Sequence, residues 1–300
     1  MRMLLFGGAA LLAMIGAADA ATYVVSMKGP AAGNPYWALF EEGAKAKGQE
    51  LGVKVVVVAP PSETDIQAQI SQIEDLIAQK VDGIAIAPTD AAALSPVVDQ
   101  ALAAGVKVVF VDGKGANANV PYIGTNNLEG GKFAGGFMCK ELPKGSEVAV
   151  LQGILTTSNG HDRFEGIKSA MDACGLKMVA AQPADWDRAK GQSVTETILA
   201  GNPNIKGIFG SSDNMALGAV EALKAAAKLK NVMVVGYDGN PDAAKSILAG
   251  EMTATIAQKP KTIAGLGIQT LFDMKAGKTV PMSTDPGTTL VTKDNASQYK

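Results

Sequence analysis

Histidine is almost missing from this chain. The one histidine in 300 residues is His161, which excludes a metal centre built on histidines. His161 therefore reads as a helix-start or cleft-wall residue rather than a catalytic base. Cysteine is nearly as scarce: Cys139 and Cys174 are the two present, and their spacing fits no zinc or redox motif. Basic residues are not in excess. The formal net charge is −2 and no cluster of Lys and Arg stands out, whereas a nucleic-acid binder carries a basic face. There is no G-x-S-x-G elbow to expose a serine nucleophile, so Ser158, three residues before His161, has no such setting. The glycine-rich "GGKFAGG" from Gly130 lacks P-loop spacing and falls inside a predicted helix. Carboxylates that could meet as a glycoside-cleaving pair are plentiful, but nothing singles out a pair. The chain does not read as an enzyme, and neither a cofactor nor a metal site is expected.

Long apolar runs are also few. The one at the start, Met3 to Ala18, follows Arg2 and ends in the small-x-small step Ala18-Asp19-Ala20. That is the pattern of a secretory signal cleaved after Ala20. The run is short for a membrane span of about 20 residues, which is the alternative. No cysteine lies near the cleavage point to carry a lipid. Residues 1–20 are thus expected to be a signal peptide, and the mature protein a soluble, exported one. Export permits a disulfide. Cys139 and Cys174 fall near the ends of predicted helices that can be neighbours, and a disulfide or two buried thiols both fit.

What the chain does have is rhythm. Apolar strand-like runs alternate with amphipathic helical stretches: "TYVVSM", a helix from about Pro35 to Leu51, "VKVVVVA", then a helix in which Ile66, Ile70, Ile73 and Ile77 share one face. "DGIAIAP" and "VKVVFVD" follow, and past Tyr122 the alternation resumes with "EVAVLQG", "LKMVAAQ", "IKGIFGS" and "VMVVGYD". Nearly continuous Val/Ile strands indicate parallel sheets covered on both faces. The units are too many for one open sheet. The expected fold is α/β, with two doubly wound parallel-sheet domains and a joint near Tyr122–Asn127.

In such sheets ligands bind outside the carboxyl ends of the strands. The segments there hold Lys28, Asn34, Tyr36, Trp37, Asp112, "GILTTSNGHDR", "PADWDR", "SSDN" and "YDGNPD". Trp37 and Trp186 are the two tryptophans of a chain that is 5% aromatic, and each opens a loop-to-helix segment. Ring faces pack on the C–H face of a sugar, while Asp, Asn, Gln and Arg at the rim bond its hydroxyls. This arrangement suits a neutral carbohydrate or polyol; the alternative is that both tryptophans are interdomain core. Arg163, Asp112 and Asp238 read as a charge-balanced set within the same cleft.

"NPYW" at Asn34, "QPADWDRAKG" from Gln182, "SSDNMALGA" from Ser211, "VVGYDGNPDA" from Val234 and "ATIAQKP" from Ala254 carry a resemblance. Together they resemble the bacterial periplasmic sugar-binding proteins of the ribose, allose and galactose group, which serve ABC importers. The resemblance covers nearly all of the mature chain. It implies two α/β lobes, residues 22–125 with 259–287 and residues 126–258 with 288–300, joined by three hinge strands. It also implies a monomer that closes on a small neutral ligand and is recognised by a membrane permease, with no nucleic-acid partner. By position, the resemblance assigns ligand contacts to Asn34, Tyr36, Trp37, Asp112, Arg163, Trp186, Asp238 and Gln258, with Lys28 as in allose-type members, and Ser212 at a further contact position. Ribose-type members have Asn where Ala87 stands, Arg where Gly113 stands and Asn where Ser212 stands. These losses of donors argue against ribose, because a hydroxyl left unpaired in a closed cleft costs about 1–3 kcal/mol. Other functions compatible with the cleft are a sensory module presenting a bound signal to a membrane receptor and a secreted sugar hydrolase. A sugar-responsive repressor is disfavoured, since a signal peptide stands where a DNA-binding headpiece would be. On this reading, Arg163→Ala abolishes binding and leaves the fold intact, which titration calorimetry and a melting curve check together.

Overall fold

The computed structural model describes residues 21–300; the expected signal peptide, residues 1–20, lies outside the described residues. The chain begins β1 (Thr22–Ser26), α1 (Pro35–Leu51), β2 (Lys54–Val58), α2 (Ile66–Ala78), β3 (Gly83–Ile86), α3 (Ser95–Ala103), β4 (Lys107–Val111) and β5 (Tyr122–Ile123). It continues α4 (Asn127–Glu141), β6 (Glu147–Gln152), α5 (Ser158–Cys174), β7 (Lys177–Pro183), α6 (Arg188–Gly201), β8 (Gly207–Gly210), α7 (Asp213–Ala225), β9 (Met233–Asp238), α8 (Pro241–Leu248) and β10 (Ala254–Ala257). It ends with α9 (Pro260–Lys275), β11 (Ser283–Thr284) and β12 (Thr289–Val291).

The strands form two sheets, ordered β11-β5-β4-β3-β1-β2 and β12-β10-β9-β8-β6-β7. Each half repeats one winding: the first strand is flanked by the second on one side and the third on the other. The strand order therefore reverses beside β1 and beside β6, the places where an open parallel sheet leaves a crevice at its carboxyl edge. Pairing is parallel throughout except for β12, which runs antiparallel to β10. β3 and β8 are buried along their whole length, as strands covered by helices on both faces must be. Each sheet has an apolar cluster on either face.

The chain passes between the sheets three times: from β5 to α4, from β10 to α9, and from β11 to β12. The crossings are tied to one another. Thr125 Oγ1 donates to Gln258 Oε1 at 2.7 Å, and Lys259 Nζ donates to the Pro286 carbonyl at 2.7 Å.

Helix caps set what stands at the strand ends. Asn34 caps α1 by accepting from the Tyr36 amide, with Pro35 in the first turn. Thr157, Asp187 and Ser212 cap α5, α6 and α7 in the same way. Of the "GGKFAGG" glycines, Gly131 and Gly135 serve packing between α4 and α5. A Cβ on Gly131 would lie 2.5 Å from the Arg163 carbonyl oxygen, and one on Gly166 would lie 2.2 Å from that of Leu128. Without side chains there, the two helix backbones touch. Cys139 and Cys174 form a disulfide across the same helix pair, with their Cα atoms 6.1 Å apart. A cross-link closing a loop of 35 residues removes unfolded-state entropy equivalent to about 3–4 kcal/mol. Reduction, or the pair Cys139→Ala with Cys174→Ala, should lower the urea midpoint accordingly; an unchanged midpoint would show that the bridge adds nothing to stability.

Candidate functional site

The carboxyl ends of the two sheets face one another across a cavity with about 330 Å³ of empty space. All ten residues assigned by position to ligand contact line it: Lys28, Asn34, Tyr36, Trp37, Asp112, Arg163, Trp186, Ser212, Asp238 and Gln258. Three more line it that the sequence reading did not single out, Glu63, Asn159 and Asn214. Asn159 and Asn214 sit inside strand-end segments that the reading quoted. Glu63 sits in the loop after β2, where the same carboxyl-end rule would have found it.

Lys28 lies just past the end of β1 and is 1% exposed. An ammonium buried that deeply needs a counter-charge, and its Nζ lies 2.6 Å from Asp112 Oδ2 and 2.9 Å from Asn159 Oδ1. Asp112 follows β4 and is saturated with donors. Besides Lys28, its Oδ1 accepts from the Tyr36 hydroxyl at 2.7 Å and its Oδ2 from Asn159 Nδ2 at 3.2 Å. Burial, and then the Asp112 carboxylate, push the Tyr36 hydroxyl pKa well above its ordinary value, so it stays a donor. Asn159 belongs to α5, so the second half of the molecule completes an ion pair of the first. Gly113 corrects a sequence expectation: it is not simply a lost donor. A Cβ there would stand 3.2 Å from Lys28 Nζ, so the glycine leaves the space beside which the Lys28 cation sits.

Arg163 is 2% exposed on α5. Its Nε donates to Asn127 Oδ1 and one terminal nitrogen to the Ser211 carbonyl, each at 2.8 Å. That same nitrogen is 3.6 Å from Asp238 Oδ1. The guanidinium lies 3.9 Å from the centroid of the Tyr237 ring and 5.3 Å from that of Trp186, a cation held between two π faces. The expected single charge set is thus corrected: the cleft charges sort into two pairs, Lys28–Asp112 and Arg163–Asp238.

Asp238 ends β9 with φ +127°, a conformation that costs free energy for any residue with a Cβ and clusters at functional sites. Gln258 Nε2 donates to its Oδ1 at 2.8 Å, linking the hinge crossing to the cleft. Beneath this turn, buried Asp213 accepts from the Asn240 amide at 2.7 Å and from the Thr255 hydroxyl at 2.6 Å. Burial raises the Asp238 pKa to about 6 against the pull of Arg163 and Gln258. Burial likewise raises Glu63 to about 7, against Lys28 and the Trp37 bond. Asp112 and Trp186 also have positive φ, +62° and +65°, so three cavity residues share this strain.

The two tryptophans combine the two readings the sequence left open. Trp37 packs edge-on against Tyr36 and Phe40, with ring centroids 5.2 and 5.4 Å away, within an apolar cluster of the first sheet. Trp186 joins a cluster of the second, over Gly153, where a Cβ would lie 2.0 Å from the indole. Each ring is core to its own half, and both line the one cavity. Ser212 and Asn34 also do double duty as caps and lining. Among the described residues, no three His, Cys, Asp or Glu are placed to hold a metal ion, and no helix is long and apolar enough to cross a membrane.

A family model described as a periplasmic binding protein domain matches residues 24–279. The ribose import binding protein RbsB of Haemophilus influenzae is 40% identical over 248 residues, 82% of this chain and 84% of that protein. The D-allose-binding periplasmic protein of Escherichia coli is 38% identical over 283 residues, 91% of this chain and 90% of that protein. A solved ABC transporter solute-binding protein of Burkholderia graminis, in complex with D-arabinose, is 33% identical, with a TM-score of 0.88 over 94% of this chain and 98% of that one.

The geometry revises the expectation for Arg163→Ala. Truncation strands Asn127, the Ser211 carbonyl and Asp238, and breaking a buried ion pair costs about 3–5 kcal/mol. The variant should lose binding and melt earlier; a parent-like melting curve would contradict the network. The raised carboxylates make a second prediction. Because Glu63 and Asp238 hold protons more tightly folded than unfolded, the folded state binds more protons between their ordinary values and pH 6–7. The sugar-free protein should therefore melt higher as pH falls from about 8 towards 5, and Glu63→Gln with Asp238→Asn should flatten that rise.

Proposed function

The chain belongs to the periplasmic binding protein family, and on that premise we propose that it captures a small neutral sugar or sugar alcohol between two lobes and delivers it to an ABC importer. Members of this family are ligand-binding transport proteins, not enzymes. The lobes are residues 22–125 with 259–287 and residues 126–258 with 288–300, and they close about the three crossings. The protein acts as a monomer in the periplasm after removal of residues 1–20, and its closed form is what the inner-membrane permease recognises.

The observation that carries this reading is the cavity itself. It sits between the two sheets, and its buried charges are already neutralised in pairs. What remains for a guest is a ring of hydrogen-bonding groups between two indoles, a surface for a molecule that is flat, uncharged and rich in hydroxyls. The lobes also touch around the cavity in a way that only closure permits. The Lys114 amide donates to Ser158 Oγ at 2.7 Å, and the Ala91 amide to the Thr156 carbonyl at 3.3 Å. The relatives and the neighbour described above bind, by their names, ribose, allose or arabinose. Here the short Ser212 side chain is engaged in capping α7, which favours a hexose, a polyol or another pentose over ribose.

Thermal-shift screening of D-allose, D-arabinose, D-ribose, myo-inositol and linear alditols tests this. A ligand at 100 times its dissociation constant stabilises by about 2.7 kcal/mol, a shift of several degrees, with D-ribose expected below the best of the panel. A panel with no shift would sink the proposal.

A further inference from the structure

Ten of the thirteen residues lining the cavity are buried, and the three that are partly exposed are Asn34, Glu63 and Asn214. The same three, with Trp186, also line an outer groove of about 1310 Å³ of empty space between the lobes. They mark the mouth through which the cavity communicates with solvent. Of the three, Glu63 alone is ionic.

The charge count makes Glu63 unusual. Lys28 and Asp112 neutralise each other, as do Arg163 and Asp238. Glu63 has no Lys or Arg within ion-pair distance among the described residues; its partners are neutral. Trp37 Nε1–H donates to its Oε1 at 2.7 Å, and Asn34 Nδ2–H reaches the same oxygen at 3.4 Å. Its second oxygen has no protein donor among the described residues. A Cβ on Gly29 would lie 2.7 Å from Glu63 Cγ, so the side chain is held against the backbone after β1.

We propose that Glu63 is a specificity-determining residue of this site: its unpartnered oxygen accepts a hydroxyl proton from the bound molecule at the cavity mouth, and its surplus negative charge turns anionic sugars away. This rests on the sugar-binding reading above and narrows it to uncharged, donor-rich ligands. A carboxylate has only acceptors to offer; a second carboxylate or a phosphate brought to the mouth would meet like charge, with Lys28 and Arg163 already paired and Arg188 lying outside on the groove. The groups facing Glu63 do not remove that surplus. From the cavity side these are Lys28, Asp112, Arg163 and Asp238; from the groove, Asp185, Asp187, Arg188 and Asp242. Asp185 and Asp242 are paired with Lys190 and Lys245, and Asp187 caps α6 beside the exposed Arg188, so none of them is a dedicated counter-charge for Glu63. The pKa of about 7, raised by burial, fits an acid that a donating ligand would hold ionised.

Two measurements on the full mature chain test this. The first needs no sugar: the Trp37 indole N–H resonance, separated from that of Trp186 with Trp186→Phe, should titrate with a midpoint near 7 and lose that step in Glu63→Gln. The same step persisting in Glu63→Gln would show that the carboxylate beside Trp37 is not the group observed and overturn the proposal. The second is calorimetry with whichever of D-allose, D-arabinose and myo-inositol binds tightest. Between pH 8 and pH 6 its affinity should fall about twentyfold in the parent and only about twofold in Glu63→Gln, the remainder belonging to Asp238. D-glucuronate and D-galacturonate should bind at least about tenfold more weakly than D-glucose and D-galactose in the parent, with a smaller gap in the variant. Sugar binding with equal pH dependence and equal discrimination in both proteins overturns the role of Glu63 alone. Absence of binding by every neutral sugar overturns the sugar reading, and this inference with it.

Discussion

Four ionic side chains face the cleft with at most 8% of their surface exposed: Lys28, Asp112, Arg163 and Asp238. Left alone in so dry a place, each would cost several kcal/mol. They are tolerated because each lies against an opposite charge and because neutral donors and acceptors take up what is left over. Asp112 accepts from three side chains, and Arg163 divides its donors among an amide, a carbonyl and a carboxylate. The consequence for a guest is that, inward of Glu63 at the mouth, the walls present no unpaired charge, only directed hydrogen-bonding groups and ring faces. That makes the cavity selective by geometry, since a misplaced hydroxyl leaves a buried partner unsatisfied.

The pairing also distributes stability across the molecule. Asn159 reaches from α5 to both members of the Lys28–Asp112 pair, so the electrostatics of the first half are complete only when the second is in place. Gln258 connects in the other direction. It accepts from Thr125 at one crossing and donates to Asp238 at the cavity wall, which gives a hinge segment a direct contact with the site. Arg163 in turn depends on a packing detail. Its carbonyl lies where a Cβ on Gly131 would stand, and the disulfide spans the same helix pair. Strain is concentrated at the same edge: Asp112, Trp186 and Asp238 all take positive φ, and each is held there by packing or hydrogen bonds from elsewhere in the chain.

Much of this was legible in the residues. Alternating apolar and amphipathic segments specify two parallel sheets because strand and helix periods are local properties. Placing a ligand at the strand ends then follows from the architecture, and so does the importance of Trp186 and "YDGNPD", whereas Gln258 comes from the family resemblance. Tyr36 and Trp37 stand out by scarcity. Three things were not legible. Glu63 shares its place at a strand's carboxyl end with many residues, and no motif picks it out of its loop. Gly113 appears as a deletion until Lys28 is seen beside it. The fate of Trp37, packed edge-on in its own lobe while its indole N–H meets Glu63, depends on partners that no local window contains.

The chain by itself determined which segments become strands and helices, where the caps fall, and therefore which thirty or so strand-end residues are available to a ligand. These follow from interactions between residues a few positions apart, as in the Asn34 cap on the Tyr36 amide. Only the tertiary structure decided which of those residues meet. Lys28 lies 84 positions from Asp112 and 131 from Asn159, and Asp112 rather than Asp238 is its partner because the strand order of the first sheet sets the ends of β1 and β4 in the same half of the molecule. Electrostatic pairing acts over a few ångströms of space, and no distance along the chain encodes it.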